Sequence, residues 1–128
     1  MQIRLRNEIQ LDQEIEVIDQ VYPVEVTEKN GQIYLIYQNE DDEKVVLKCG
    51  ELELVMTRFS NPKSVMRFIA DQQALVHIPT PVGVQSFVTD TFAYQLDRSS
   101  QLLSLSYHLK QGDGEAIFAT YQLEIKWQ

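Results

Sequence analysis

Arg58 is the side chain whose placement most invites chemistry. Leu52, Leu54 and Met56 precede it at alternate positions, so the period of a strand carries its guanidinium onto the same apolar face. A guanidinium sent toward a core either snorkels out at the rim or finds a carboxylate or hydroxyl partner, because a buried unpaired charge is costly. Read structurally, Arg58 is an end-of-strand residue reaching solvent. Read functionally, it anchors a carboxylate or phosphate bidentately.

Other residues that could do chemistry are thinly spread. His77 and His108 fall on different strands, with no His-x-x-x-His or Cys-x-x-Cys spacing for zinc. A trio of Ser86, His108 and Asp90 could assemble in principle, but no G-x-S-x-G elbow accompanies it. Phosphate loops need a glycine pattern between strand and helix, and neither is present. Cys49 ends the run Val45-Val46-Leu47-Lys48 and reads as a buried structural thiol, since nothing nearby would favour a thiolate. Glu40-Asp41-Asp42-Glu43 reads as an exposed turn rather than a metal site. The expectation is a protein that is not an enzyme and has no cofactor or metal.

Composition narrows the partners. The 128 residues suit a single domain with its own core, spanning 1–128. A formal net charge of −8 argues against nucleic acid and anionic membrane surfaces, which need a basic face. One cysteine allows no internal disulfide, and no apolar leader or membrane-length span is visible, so a cytoplasmic setting is expected.

The elements that must position these residues are strands. Alternation marks residues 2–11, with a possible bulge near Asn7, and again 14–28, interrupted at Pro23. Asn30-Gly31 is a type I′ hairpin signal before Ile33–Tyr37. Turns follow at Asp41-Asp42, Asn61-Pro62, Asp71-Gln72-Gln73, Arg98-Ser99-Ser100 and Gly112-Asp113-Gly114. Pro79, Pro81 and Gly83 form a rigid corner expected to join two halves of one β-structure. The long run 84–97 has ambiguous parity: either Ser86 and Asp90 face inward, or Thr89 and Thr91 do. Residues 117–127 alternate most cleanly. The expected fold is all-β: an antiparallel barrel of eight or nine strands with little helix, with a two-sheet sandwich as the alternative.

The order Ile33-Tyr34-Leu35-Ile36-Tyr37, Arg58, Phe68, Thr80-Pro81-Val82-Gly83, Thr91 and Tyr107-His108-Leu109 resembles the YwiB-like family of bacterial proteins, found mainly in Firmicutes and of unknown function. Phe59 stands where that family usually has glycine, and Ile78 where it usually has an aromatic. The resemblance implies a calycin-like barrel, the architecture of lipocalins and fatty-acid-binding proteins. It also favours Thr91 inward with a bulge near Phe92, which leaves Asp90 exposed.

The functional expectation is a barrel that binds a small apolar or acidic ligand, with Arg58 as anchor and Thr80, Thr91 and Tyr107 near the site. The competing expectation is a filled barrel that acts as a protein-interaction or homodimerisation module through outward apolar residues such as Val55 and Phe118.

Overall fold

The computed structural model describes residues 1–113 and 115–128. Alternating sequence becomes extended chain throughout, and no helix occurs among the described residues. The strands are β1 (Gln2–Leu11), β2 (Glu14–Pro23), β3 (Glu25–Lys29), β4 (Gln32–Gln38), β5 (Lys44–Cys49), β6 (Glu53–Arg58), β7 (Ser64–Ile69), β8 (Gln72–Thr80), β9 (Gly83–Asp97), β10 (Leu102–Gln111) and β11 (Ile117–Trp127). Asn30 and Gly31 take positive φ, 54° and 76°, between β3 and β4, as the hairpin signal requires. Gly112 and Asp113 lie in the expected turn, while Gly114 is outside the described residues.

The strands form two antiparallel sheets, β2-β1-β11-β10-β9-β8 and β3-β4-β5-β6-β7. The chain meets its neighbours in sequence order, and β1 against β11 joins beginning to end, with Ile3 opposite Trp127. This is the circuit of an up-and-down barrel, broken at two corners where no ladder forms. The antiparallel all-β class is as expected, but two facing sheets replace a closed hydrogen-bonded cylinder.

Each corner has a local cause. The run over 14–28, interrupted at Pro23, bends at Pro23-Val24 as that interruption implies and changes sheet, because Pro23 has no N–H to continue a ladder. That split contributes to a count of eleven strands among the described residues rather than eight or nine. At the other corner the chain turns at Ala70-Asp71, Asp71 taking φ 58°, so β8 already begins at Gln72. The Pro79–Gly83 stretch joins no halves. It is the tip of the β8–β9 hairpin, and Pro79 is tolerated because β8 lies at a sheet edge.

The ambiguous parity of 84–97 is settled by a bulge. Ser106 opposes Ala93 and Tyr107 opposes Thr91, leaving Phe92 without a partner. Thr89 and Thr91 are fully buried ahead of the bulge, and Tyr94 and Leu96 pack on the core after it. The bulge expected near Asn7 is absent: β1 keeps unbroken register with both β2 and β11. Leu52 is also not on the face of Leu54. It sits outside β6 with 69% of its surface exposed.

The core lies between the sheets and is built on Ile3, Leu35, Leu47, Leu54, Phe68, Leu103 and Ile125, all essentially without solvent contact. Each such side chain contributes about 1.5–3 kcal/mol by burial. One end is tied shut. The Tyr94 hydroxyl donates to the Gly50 carbonyl at 2.6 Å, and Arg98 reaches Glu28, Glu51 and the Gly31 carbonyl at 2.9, 2.8 and 2.6 Å.

Candidate functional site

Away from the tied end the filling is incomplete. A cavity of about 240 Å³ opens between the sheets, with Leu5, Asn7 and Gln20 on one wall and Tyr37, Met56 and Met66 on the other. Phe68 and Tyr107 also line it. Larger hollows lie elsewhere, such as one of about 540 Å³ beside Arg4 and Asp19, but those two side chains already bind each other at 2.9 Å. The cavity between the sheets is predominantly apolar, as a small-molecule site requires.

Strand parity explains its walls. In β1 the inward positions run Ile3, Leu5, Asn7, so Asn7 puts an amide where packing would favour another aliphatic. Its Oδ1 is buried and has no hydrogen-bond partner. Tyr107 is held between Phe68, at 4.6 Å between ring centroids, and Tyr121, stacked at 4.7 Å. Burial holds the Tyr107 phenol far above its ordinary range.

The mouth is polar. Tyr37 stacks on Tyr22 at 5.0 Å, and the Tyr22 hydroxyl donates to Glu40. Burial and then that hydrogen bond push the Tyr22 phenol up to about 12, while the same bond holds the Glu40 carboxyl below its usual value. Asn39 shapes the turn that presents these carboxylates: its Oδ1 accepts the Asp41 and Glu43 N–H groups, each at 3.0 Å.

Arg58 has the expected parity, opposite buried Val45, but it reaches outward. Its side chain is 47% exposed and its Nε lies 3.8 Å from Glu43 Oε1. Arg58 is therefore a residue of the rim, one inward position beyond Met56. Tyr107 is in the cavity wall. Thr91 sits beside Tyr107 in register, fully buried, with its Oγ1 unpartnered, but does not line the cavity. Thr80 is not brought to the site. Its hydroxyl donates to Gly83 at 2.6 Å in the hairpin tip, about 26 Å along the strand from Thr91 at the usual rise per residue.

The remaining chemical groups are dispersed. Ser86 pairs with His77 at 3.0 Å and His108 with Thr120 at 2.9 Å, while Asp90 binds Lys110 at 2.8 Å. The Ser86, His108 and Asp90 trio does not assemble. Among the described residues no group of three His, Cys, Asp or Glu side chains could hold a metal ion. Cys49 is fully buried, and burial pushes its thiol up to about 12. Val55 and Phe118 lie on different sheets, Val55 half-buried and Phe118 packed edge-on against Phe87, so they share no patch. No helix among the described residues is long and apolar enough to cross a membrane.

Asn7, Tyr37 and Met66 are cavity residues that sequence reasoning did not assign to a site. For Asn7 the signal was present, a lone amide in the alternation of Ile3, Leu5, Ile9 and Leu11. Tyr37 and Met66 look in sequence like any core residue.

Comparison with known proteins agrees with this fold. Residues 3–125 match the profile of a family described as a domain of unknown function (DUF1934). The chain is similar to the crystal structure of ywiB protein from Bacillus subtilis, with a TM-score of 0.78 at 20% sequence identity, covering 99% of this chain and 90% of that one. None of the curated proteins matches it. With the matched residues running from β1 to β11, the chain belongs to the DUF1934 family and is YwiB-like.

Proposed function

We propose that this protein is a binding module, without turnover of its own, that takes a small and largely apolar molecule into the cavity between its sheets. The observation that carries the reading is the predominantly apolar cavity of about 240 Å³ between the sheets, walled by Leu5, Tyr37, Met56, Met66 and Phe68. At roughly 30 Å³ per non-hydrogen atom, it holds about eight such atoms. Tyr107 also lines it, and Arg58 belongs to the rim. A reducing compartment such as the cytoplasm suits the single free thiol. Native mass spectrometry of freshly purified protein tests the reading against Met66→Trp, which fills the cavity. An adduct on the parent that is missing from the folded variant is the expected result. The same adduct on both would place the ligand elsewhere.

A second reading has its own observation. Ile15, Val17, Ile18 and Val21 all lie exposed on β2, an edge strand of the six-stranded sheet. An open apolar edge is a template for strand pairing, here with a second copy of the chain. A concentration-dependent dimer in sedimentation, abolished by Val17→Lys, would support that role.

A further inference from the structure

We infer that the cavity takes a neutral molecule whose polar group accepts hydrogen bonds, such as a ketone or ester of about eight non-hydrogen atoms, with the Tyr107 and Tyr37 hydroxyls as donors. The inference rests on the binding reading above and narrows the sequence expectation of an apolar or acidic ligand.

Tyr107 is the leading donor. Phe68 lies against one side of its ring and Tyr121 stacks on the other, at 4.6 and 4.7 Å between centroids. With its faces covered, the ring can offer the cavity only its edge and its hydroxyl. Tyr37 lines the same cavity from the facing sheet, with Tyr22 stacked on it at 5.0 Å. The two side chains belong to residues only 5% and 9% exposed.

Neither hydroxyl donates to another group among the described residues. The side-chain polar atoms that are sealed without a partner are Asn7 Oδ1 and Thr91 Oγ1, and no phenol oxygen is among them. An unpaired hydroxyl that is not sealed opens on free space, and the cavity is the opening that both tyrosines line. Burial raises both phenols above their ordinary range, so each keeps its proton and acts as a donor.

No charged side chain lines the cavity among the described residues. A carboxylate or an ammonium would leave water there without a counter-ion, which costs far more than burying a carbonyl that gains a hydrogen bond. Arg58 does not alter this, because it stands at the rim facing Glu43. Gln20, also in the wall, carries an amide that can donate to a carbonyl as well.

The test sets 2-heptanone against 2-methyl-1-heptene, in which a methylene replaces the carbonyl oxygen at nearly the same shape. Each is titrated calorimetrically into the intact protein and into Tyr107→Phe and Tyr37→Phe, which remove hydroxyls that hold nothing in the fold. Each variant is expected to weaken ketone binding by about two- to tenfold and to leave alkene binding in place. The infrared carbonyl stretch of the bound ketone should lie below its position in a hydrocarbon solvent and return toward it when both phenols are removed. Ketone binding unchanged in both variants, an equal loss for the alkene, or heptanoate binding tighter than the ketone would overturn the inference and leave the cavity reading standing. Failure of both ketone and alkene to bind the parent protein would overturn the cavity reading itself.

Discussion

The Thr89 hydroxyl donates to the backbone carbonyl of Arg67 at 2.6 Å, from the six-stranded sheet to the five-stranded one. The bond falls at the corner where β7 and β8 part and no ladder is available to satisfy that carbonyl. A fully buried side chain thus replaces a missing backbone bond. Thr91, two residues along on the same face, is equally buried, and its hydroxyl has no partner.

The two threonines should therefore respond oppositely to valine. Thr89→Val leaves the Arg67 carbonyl unsatisfied and should lower stability by about 1–3 kcal/mol. Thr91→Val removes an orphaned hydroxyl at nearly constant shape and should leave stability unchanged or raise it by roughly 1 kcal/mol. Urea denaturation of both variants checks the signs. Equal destabilisation would mean that Thr91 has a partner in solution.

Acid should expose the Asp90–Lys110 pair. The hydrogen bond from Lys110 holds the Asp90 carboxyl below its ordinary value despite partial burial, which opposes it. Because the folded value is depressed, the contribution is present above the unfolded Asp value of about 3.9 and is lost as pH falls through the folded value. Lys110→Met should reduce the fall in urea midpoint below about pH 4. An unchanged acid limb would assign the loss to other carboxylates.

Cys49 should be silent in the native state. Its thiol is without solvent contact and is pushed up to about 12 by burial, so too little thiolate is exposed to react. A colorimetric disulfide reagent should label it only after denaturant is added, at the rate of unfolding. Prompt labelling of folded protein would place Cys49 at the surface.

Arg58→Leu should change stability by no more than about 1 kcal/mol, because the residue is half exposed and its ion pair with Glu43 is long. Thermal denaturation measures this, and outright unfolding of the variant would contradict it.

The strands were legible because one face of almost every strand is buried, which imposes a period of two on the sequence. Resemblance supplied the parity of β9 where alternation was ambiguous, since a bulge at Phe92 reverses the faces midway. The corners were hidden: Pro23 marked a bend, but whether strands beyond a bend still pair depends on how the two sheets cross. Arg58 shows the same limit at the site. Its parity followed from Met56, but its partner did not, because Glu43 reaches it only through the register that sets Val45 opposite Arg58. The cavity was invisible for a simpler reason. Tyr37, Met56 and Phe68 carry the same pattern whether they pack tightly or leave a gap.

The methionines test the cavity most directly. Of the three in the chain, Met56 and Met66 line it, while Met1 is 61% exposed at the terminus and serves as the internal control. With the methyl groups carbon-13 labelled, n-hexanol, a small and largely apolar probe, titrated into the protein should shift the Met56 and Met66 signals saturably and leave Met1 in place. Small, unsaturating shifts of all three, or none, would contradict a ligand site between the sheets.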